Sequence, residues 1–215
     1  MDSCAASQRS LTTLYFHIVA SRPFDTMSLA QKISKPTPYD ELLALPENLV
    51  GEIIDGQLYT QPRPAGPHNN AETCLGSALN PPFQQGKGGP GGWWIQVEPE
   101  VHFVRDTEIA VPDLGGWRRE RMPNLPRDHR YEIVPDWVCE ILSPGTAKKD
   151  RSLKLPLYVR FGVAHVWLVD PLERTLEAFA LQNNQWMLIG VLKDDDLVSF
   201  PPFEAVAFSL ADLWS

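Results

Sequence analysis

Cysteine is scarce in this chain: Cys4, Cys74 and Cys139 stand far apart among 215 residues, with no CxxC spacing. That excludes a disulfide framework and a zinc knuckle, and it fits a reducing, cytoplasmic setting. Long hydrophobic runs are also missing. No apolar stretch approaches the ~20 residues of a membrane helix, so no membrane partner is expected. Leu14 to Ala20 is short, interrupted by His17 and preceded by few positive charges, unlike a secretory leader. Positive charge does not prevail either. Nineteen Lys and Arg against 27 Asp and Glu leave a formal net charge of -8, too acidic for a protein that coats nucleic acid by charge alone. Any phosphate chemistry has to recruit its own cations. There is no GxSxG elbow and no HExxH pair, and GKGGPGG at residues 86 to 92 lacks the order of a Walker loop, which argues against serine hydrolases, zincins and P-loop enzymes.

What is present is ordinary globular material, 43% hydrophobic and 21% charged, with 20 prolines and 14 glycines grouped into loops. Residues 1 to 36 have no sustained periodicity and contain Met27. They are expected to form an N-terminal tail, poorly ordered over residues 1 to 26, where translation is taken to start too early. Residues 37 to 215 are expected to form a single domain. Thr37-Pro38-Tyr39-Asp40 presents a helix start ahead of Leu42, Leu43 and Leu45, with an end near Pro46. In GEIIDGQLYT, residues 51 to 60, the Asp55-Gly56 pair predicts a tight hairpin. A helix follows over His68 to Leu79, stopped by Pro81-Pro82, then strands over Trp93 to Val104 and Glu108 to Leu114. Trp137 to Leu142 reads as a central strand. Next come a helix with Leu153, Leu157 and Phe161 on one face, with Pro156 near its first turn, and a strand over His165 to Val169. Short strands over Leu176 to Ala180, Trp186 to Val191 and Val206 to Phe208 precede a terminal helical turn.

Glu140 carries the most information, because it interrupts an apolar central strand where a bare carboxylate is costly. Asp113 ends a strand in Val111-Pro112-Asp113, where functional side chains commonly project. On neighbouring strands, the two would reach one hard cation, Mg2+ or Mn2+, which takes oxygen ligands and keeps waters for a substrate. Lys154, on the following helix, is the candidate partner for charge developing on a phosphate. The alternative is a structural ion pair between Glu140 and Lys154 or an arginine. Glu52 is a further candidate carboxylate and His68 a candidate neighbour of the site. Asp150 reads as a helix-start acid favoured by the dipole. Arg118, Arg119, Arg121, Lys148, Lys149 and Arg151 flank the site as candidate phosphate contacts or as solvated loop charges. Trp93, Trp94 and Trp117 are either base-stacking or core aromatics.

Taken in order, GEIIDGQLY, His68, VPDL at 111 to 114, VCEILSPGT at 138 to 146, Asp150, Lys154, Tyr158 and GVAHVWLVDP at 162 to 171 resemble the Uma-type putative restriction endonuclease family, over Tyr39 to Phe179. The resemblance implies the PD-(D/E)XK nuclease superfamily. Its expected fold is α/β, a restriction-endonuclease-like mixed β-sheet flanked by α-helices, here with extra β-hairpins. It also implies Mg2+-dependent hydrolysis of DNA by a homodimer. By position, Asp113 matches the aspartate of the PD element and Glu140 the second acidic residue. Leu142 stands where a lysine is expected, and Lys154 matches the lysine that replaces it from the following helix. Glu52 and His68 match further positions near the family site. A nuclease fold that has lost turnover, and serves as a binding or assembly module, is the alternative of a different class.

Overall fold

The computed structural model describes residues 35–63 and 66–214; the tail expected over residues 1 to 26 lies outside them. Helix α1 (Pro38–Leu43) opens on a capping box, in which Thr37 Oγ1 accepts from the Asp40 amide and the Asp40 carboxylate accepts from the Thr37 amide at 2.8 Å. It ends short of Pro46. Asp55 and Gly56, with φ of 52° and 71°, turn the chain between β1 (Leu49–Ile54) and β2 (Gln57–Pro62), the hairpin the dipeptide predicts. Helix α2 (Gly66–Leu79) buries Ala71, Leu75 and Leu79. Pro81-Pro82 ends the α-helix without ending the coil, because both prolines fall at the start of a π-helical turn over Asn80–Gln84.

The strand expected over Trp93 to Val104 is in fact two, β3 (Trp93–Val97) and β4 (Glu100–Val104), and they belong to different sheets. Glu98, at a φ of 43°, and Pro99 break the ladder between them. The next expected strand also divides, into β5 (Glu108–Ala110) and β6 (Leu114–Arg118), leaving Val111-Pro112-Asp113 as the link between the sheets. After β7 (Arg130–Tyr131) and β8 (Trp137–Ile141) come α3 (Ala147–Lys149), a π-helical turn (Asp150–Lys154) and α4 (Leu155–Phe161), with Pro156 in the first turn of α4 as its chemistry demands. Strands β9 (His165–Asp170), β10 (Thr175–Gln182) and β11 (Gln185–Lys193) follow. Short β12 (Leu197–Val198) pairs with β13 (Phe208–Ser209), so that of the expected strand Val206 to Phe208 only Phe208 joins a ladder. A 3-10 turn over Leu210–Leu213 closes the described chain.

Two sheets result, ordered β2-β1-β5-β4-β7 and β11-β10-β9-β8-β6-β3. In the larger sheet β8 and β9 run parallel, joined by the crossover through α3 and α4, while their other neighbours are antiparallel. Alternation along β8 separates two layers. Trp137, Cys139 and Ile141 face α2 in a core with Trp167 and Phe203, whereas Val138 joins Leu142, Leu157 and Tyr158 beneath α4. Glu140 has the parity of Val138. It therefore points into the layer that also holds Ile54 and Ala110 of the smaller sheet. This is a mixed α/β fold with mixed sheets and a few flanking helices. Among the described residues no helix is long and apolar enough to cross a membrane.

Candidate active site

Register brings the two acids together. Leu114 pairs with Cys139 across β6 and β8, so one step further along the antiparallel ladder sets Asp113 opposite Glu140. The Asp113 carboxylate secures this corner by accepting from the Ile141 amide at 2.6 Å through Oδ2. Its Oδ1 lies 3.2 Å from His68 Nε2 on α2. Asp113 and His68 both line a cavity of about 360 Å3, together with Arg63, Glu98, Ser143 and Thr146.

Glu140 lies behind that wall and is only 2% exposed. Lys154 Nζ donates to its Oε2 at 2.7 Å, and the Tyr158 hydroxyl donates to its Oε1. Lys154 is equally buried and also reaches Glu52 Oε1 at 3.0 Å, the Val111 carbonyl at 3.2 Å and Asp150 Oδ1 at 3.9 Å. Glu52 accepts from the Val111 amide at 2.8 Å and from the Lys149 ammonium, which also donates to Gln61. The spacing of Asp150, Lys154 and Tyr158 explains the arrangement. Residues four apart share one face of a helical coil, and here that face meets β8 and β1.

Around this point four carboxylates, Glu52, Asp113, Glu140 and Asp150, face two ammonium groups, Lys149 and Lys154. Burial lifts the Glu140 carboxyl well above its usual range, with Lys154 opposing and Asp150, Asp113 and Glu52 adding to it. Asp150 is raised by burial against the pull of both lysines. In Glu52 the two lysines overcome burial and hold the carboxyl below its ordinary value. Burial alone would depress Lys154, but Glu140 and Glu52 keep it firmly charged. Burial would likewise lower His68, yet the Asp113 carboxylate holds it above its ordinary value. By formal count the four carboxylates outnumber the two ammonium groups, and Glu140 and Asp150 hold a proton more readily than free carboxylates do.

Asp113 and Glu140 are the oxygen donors that could hold a hard divalent cation here, Asp113 at the cavity wall and Glu140 behind it with its two oxygens taken by Lys154 and Tyr158. Among the described residues no group of three or more His, Cys, Asp and Glu closes around an ion. Two carboxylates are enough for Mg2+, which takes waters or phosphate oxygens in its other positions.

Other candidates have different surroundings. Lys149 is engaged with Glu52 and Gln61. Arg119 donates to the Trp93 and Gln84 carbonyls and lies 3.9 Å over the Trp94 ring. Arg121 pairs with Asp136 at 2.8 Å and Arg151 with Glu177. Arg118 and Lys148 are exposed. Trp93 and Trp117 are core residues. Sequence reasoning assigned Asp150 only to the helix dipole and missed Glu72, one turn beyond His68 on α2 and 8% exposed. The four-residue spacing from His68 to Glu72, and from Asp150 through Lys154 to Tyr158, was the available signal.

A mixed sheet flanked by helices, with a carboxylate and lysine cluster beside the link between two sheets, places the chain in the class of nuclease-fold α/β proteins. The chain belongs to the Uma2 family, described as "Putative restriction endonuclease", whose profile matches residues 39–211. It is similar to a "putative nuclease belonging to DUF820" from Anabaena variabilis ATCC 29413, known from a crystal structure. The two are 27% identical with a TM-score of 0.61, over 83% of this chain and 97% of that one. No curated protein matches the chain.

Proposed function

We propose that this protein is a Mg2+-dependent endonuclease that hydrolyses DNA phosphodiester bonds. The observation that carries the reading is the meeting of Asp113 and Glu140 beside Lys154, three residues distant along the chain. Asp113 and Glu140 would hold the ion, which when bound neutralises the attacked phosphate and acidifies a water. Asp113 presents its carboxylate at the cavity wall, where a phosphate can approach, and His68 orients it. Lys154 stays charged between Glu140 and Glu52, and in this reading it would stabilise charge that develops on a phosphate drawn in beside Asp113. The exposed Arg118 and Lys148 supply backbone contacts. Two copies acting on the two strands make a homodimer the working unit, which analytical ultracentrifugation tests.

The direct test is cleavage of plasmid DNA, single-stranded DNA and RNA with Mg2+ or Mn2+, comparing wild type with Glu140→Ala. Cleavage by wild type alone supports the assignment, and a variant that cuts at the wild-type rate removes it. One observation favours a second reading, a nuclease fold that binds without turnover: both Glu140 oxygens are engaged by Lys154 and Tyr158, and Glu140 does not line the cavity. Calorimetric Mn2+ binding without cleavage of any of the three substrates selects that reading.

A further inference from the structure

One permanent cation reaches the wall of the cavity that holds Asp113 and His68. Among the described residues lining it, Arg63 is the only lysine or arginine. Lys149 and Lys154 are engaged with Glu52 and Glu140 and do not line it. The same wall carries the carboxylates of Glu98 and Asp113, so an anion that enters meets repulsion unless a fixed positive charge receives it.

Backbone contacts hold both members of the pair formed by Arg63 and Glu98. Arg63 follows β2, where its amide donates to the Asn48 carbonyl at 3.3 Å and its Nε to the Glu47 carbonyl at 3.0 Å. Glu98, between β3 and β4, donates its amide to the Asp113 carbonyl at 2.9 Å. Its φ of 43° suits glycine or asparagine better than glutamate, so a carboxylate is kept beside the guanidinium against backbone preference. The two side chains meet by a single prong, Arg63 Nη1 donating to Glu98 Oε2 at 3.3 Å, and Nη2 donates to none of the described residues. They are 57% and 32% exposed, and an ion pair this open to water is screened and weak. With Nε occupied by Glu47, Nη1 and Nη2 form a fork that two oxygens of one phosphate fit, a stronger pairing than a single contact.

We propose that Arg63 binds a backbone phosphate of the strand that enters this cavity, and that Glu98 holds the guanidinium in place until that phosphate displaces it. The proposal rests on the endonuclease reading for its substrate, a nucleic-acid phosphodiester. Glu98 also makes the exchange selective. A free anion competes from solution against a carboxylate already in place, whereas a phosphate on a strand retained by its other contacts arrives at high effective concentration.

The test follows the Arg63 Nε–Hε resonance of the full chain by NMR in Mg2+, with three probes: a thymidine strand with phosphorothioate links, which resist hydrolysis, its uncharged methylphosphonate analogue, and inorganic phosphate. The charged strand is expected to shift the resonance at concentrations where the other two leave it unmoved. Fluorescence anisotropy of the labelled phosphorothioate strand across a salt series supplies the second readout. Arg63→Gln is expected to weaken binding roughly tenfold or more and to lower the slope of log K against log salt by about 0.7, one phosphate contact on a single strand. Arg63→Lys is expected to keep the slope and recover only part of the affinity, because an ammonium supplies charge without the fork. Glu98→Gln is expected to tighten binding, by up to roughly fivefold. An Arg63 resonance that ignores the charged strand, an equal response to the methylphosphonate or to inorganic phosphate, an unchanged salt slope in Arg63→Gln, or weaker binding by Glu98→Gln overturns the proposal. Strand binding through Arg63 by a chain that cleaves no natural DNA loses only the nuclease reading. Cleavage by a chain whose Arg63→Gln variant binds and cuts as wild type does loses only the role of Arg63.

Discussion

Lys154 is the residue on which the buried cluster turns. Its ammonium separates Glu140 from Glu52, so Lys154→Met leaves two buried carboxylates facing each other with no intervening cation. Breaking a buried pair in this way costs about 3–5 kcal/mol, and urea unfolding of the variant is expected to register a loss of that size. Tyr158→Phe removes one donor from Glu140 and is expected to cost less, about 1–3 kcal/mol. Glu72 makes a prediction about pH. The folded state holds its proton more tightly than the unfolded chain does, moving the carboxyl from its ordinary 4.5 to about 7. Its contribution to stability therefore declines as pH rises through that window and is level above it. Glu72→Gln, unfolded by urea in a chelator, is expected to match wild type near about pH 5 and to exceed it near about pH 8. Equal pH dependence in the two proteins contradicts this account.

At the scale of elements, α2 and the coil from α3 to α4 position the site, and both do so through core packing. Leu75 is fully buried in the layer between α2 and β8, on the helix that carries His68 and Glu72. Leu75→Ala is expected to cost about 2–5 kcal/mol and to loosen the His68 to Asp113 contact, seen as a change in the His68 imidazole titration by NMR. Helix starts, the Asp55-Gly56 hairpin and the place of Pro156 were legible in the sequence because each depends on a few adjacent residues. The division of Trp93 to Val104 between two sheets was not. Alternation continues in register through Glu98-Pro99, and a two-residue period says which side of a strand is apolar without saying which sheet receives it. For the same reason, the link at Val111-Pro112-Asp113 looked like a strand end and proved to be the corner at which the two sheets part.

On the scale of the whole molecule, a net charge of -8 means that local cations must offset the repulsion of a polyanion. A divalent ion that binds only the folded chain adds stability by mass action, about 2.7 kcal/mol when present at a hundred times its Kd. Mg2+ is thus expected to raise the Tm of wild type and to leave that of Asp113→Asn unchanged, as measured by differential scanning fluorimetry across a metal titration. Equal rises in both proteins would remove Asp113 from the ion site.

By itself the sequence determined the family and picked out the residues of the candidate site: Glu140 in an apolar strand and Asp113 after a proline are visible in one dimension, because an ionisable group in the wrong company costs free energy wherever it sits. Only the tertiary structure decided the company they keep. The β6 and β8 register set Asp113 against Glu140, the helical coil after α3 delivered Lys154 and Tyr158 to the same carboxylate, and packing against Glu52 drew Lys149 away from solvent. Those contacts join residues far apart along the chain, and their energies depend on separations that local pattern does not contain.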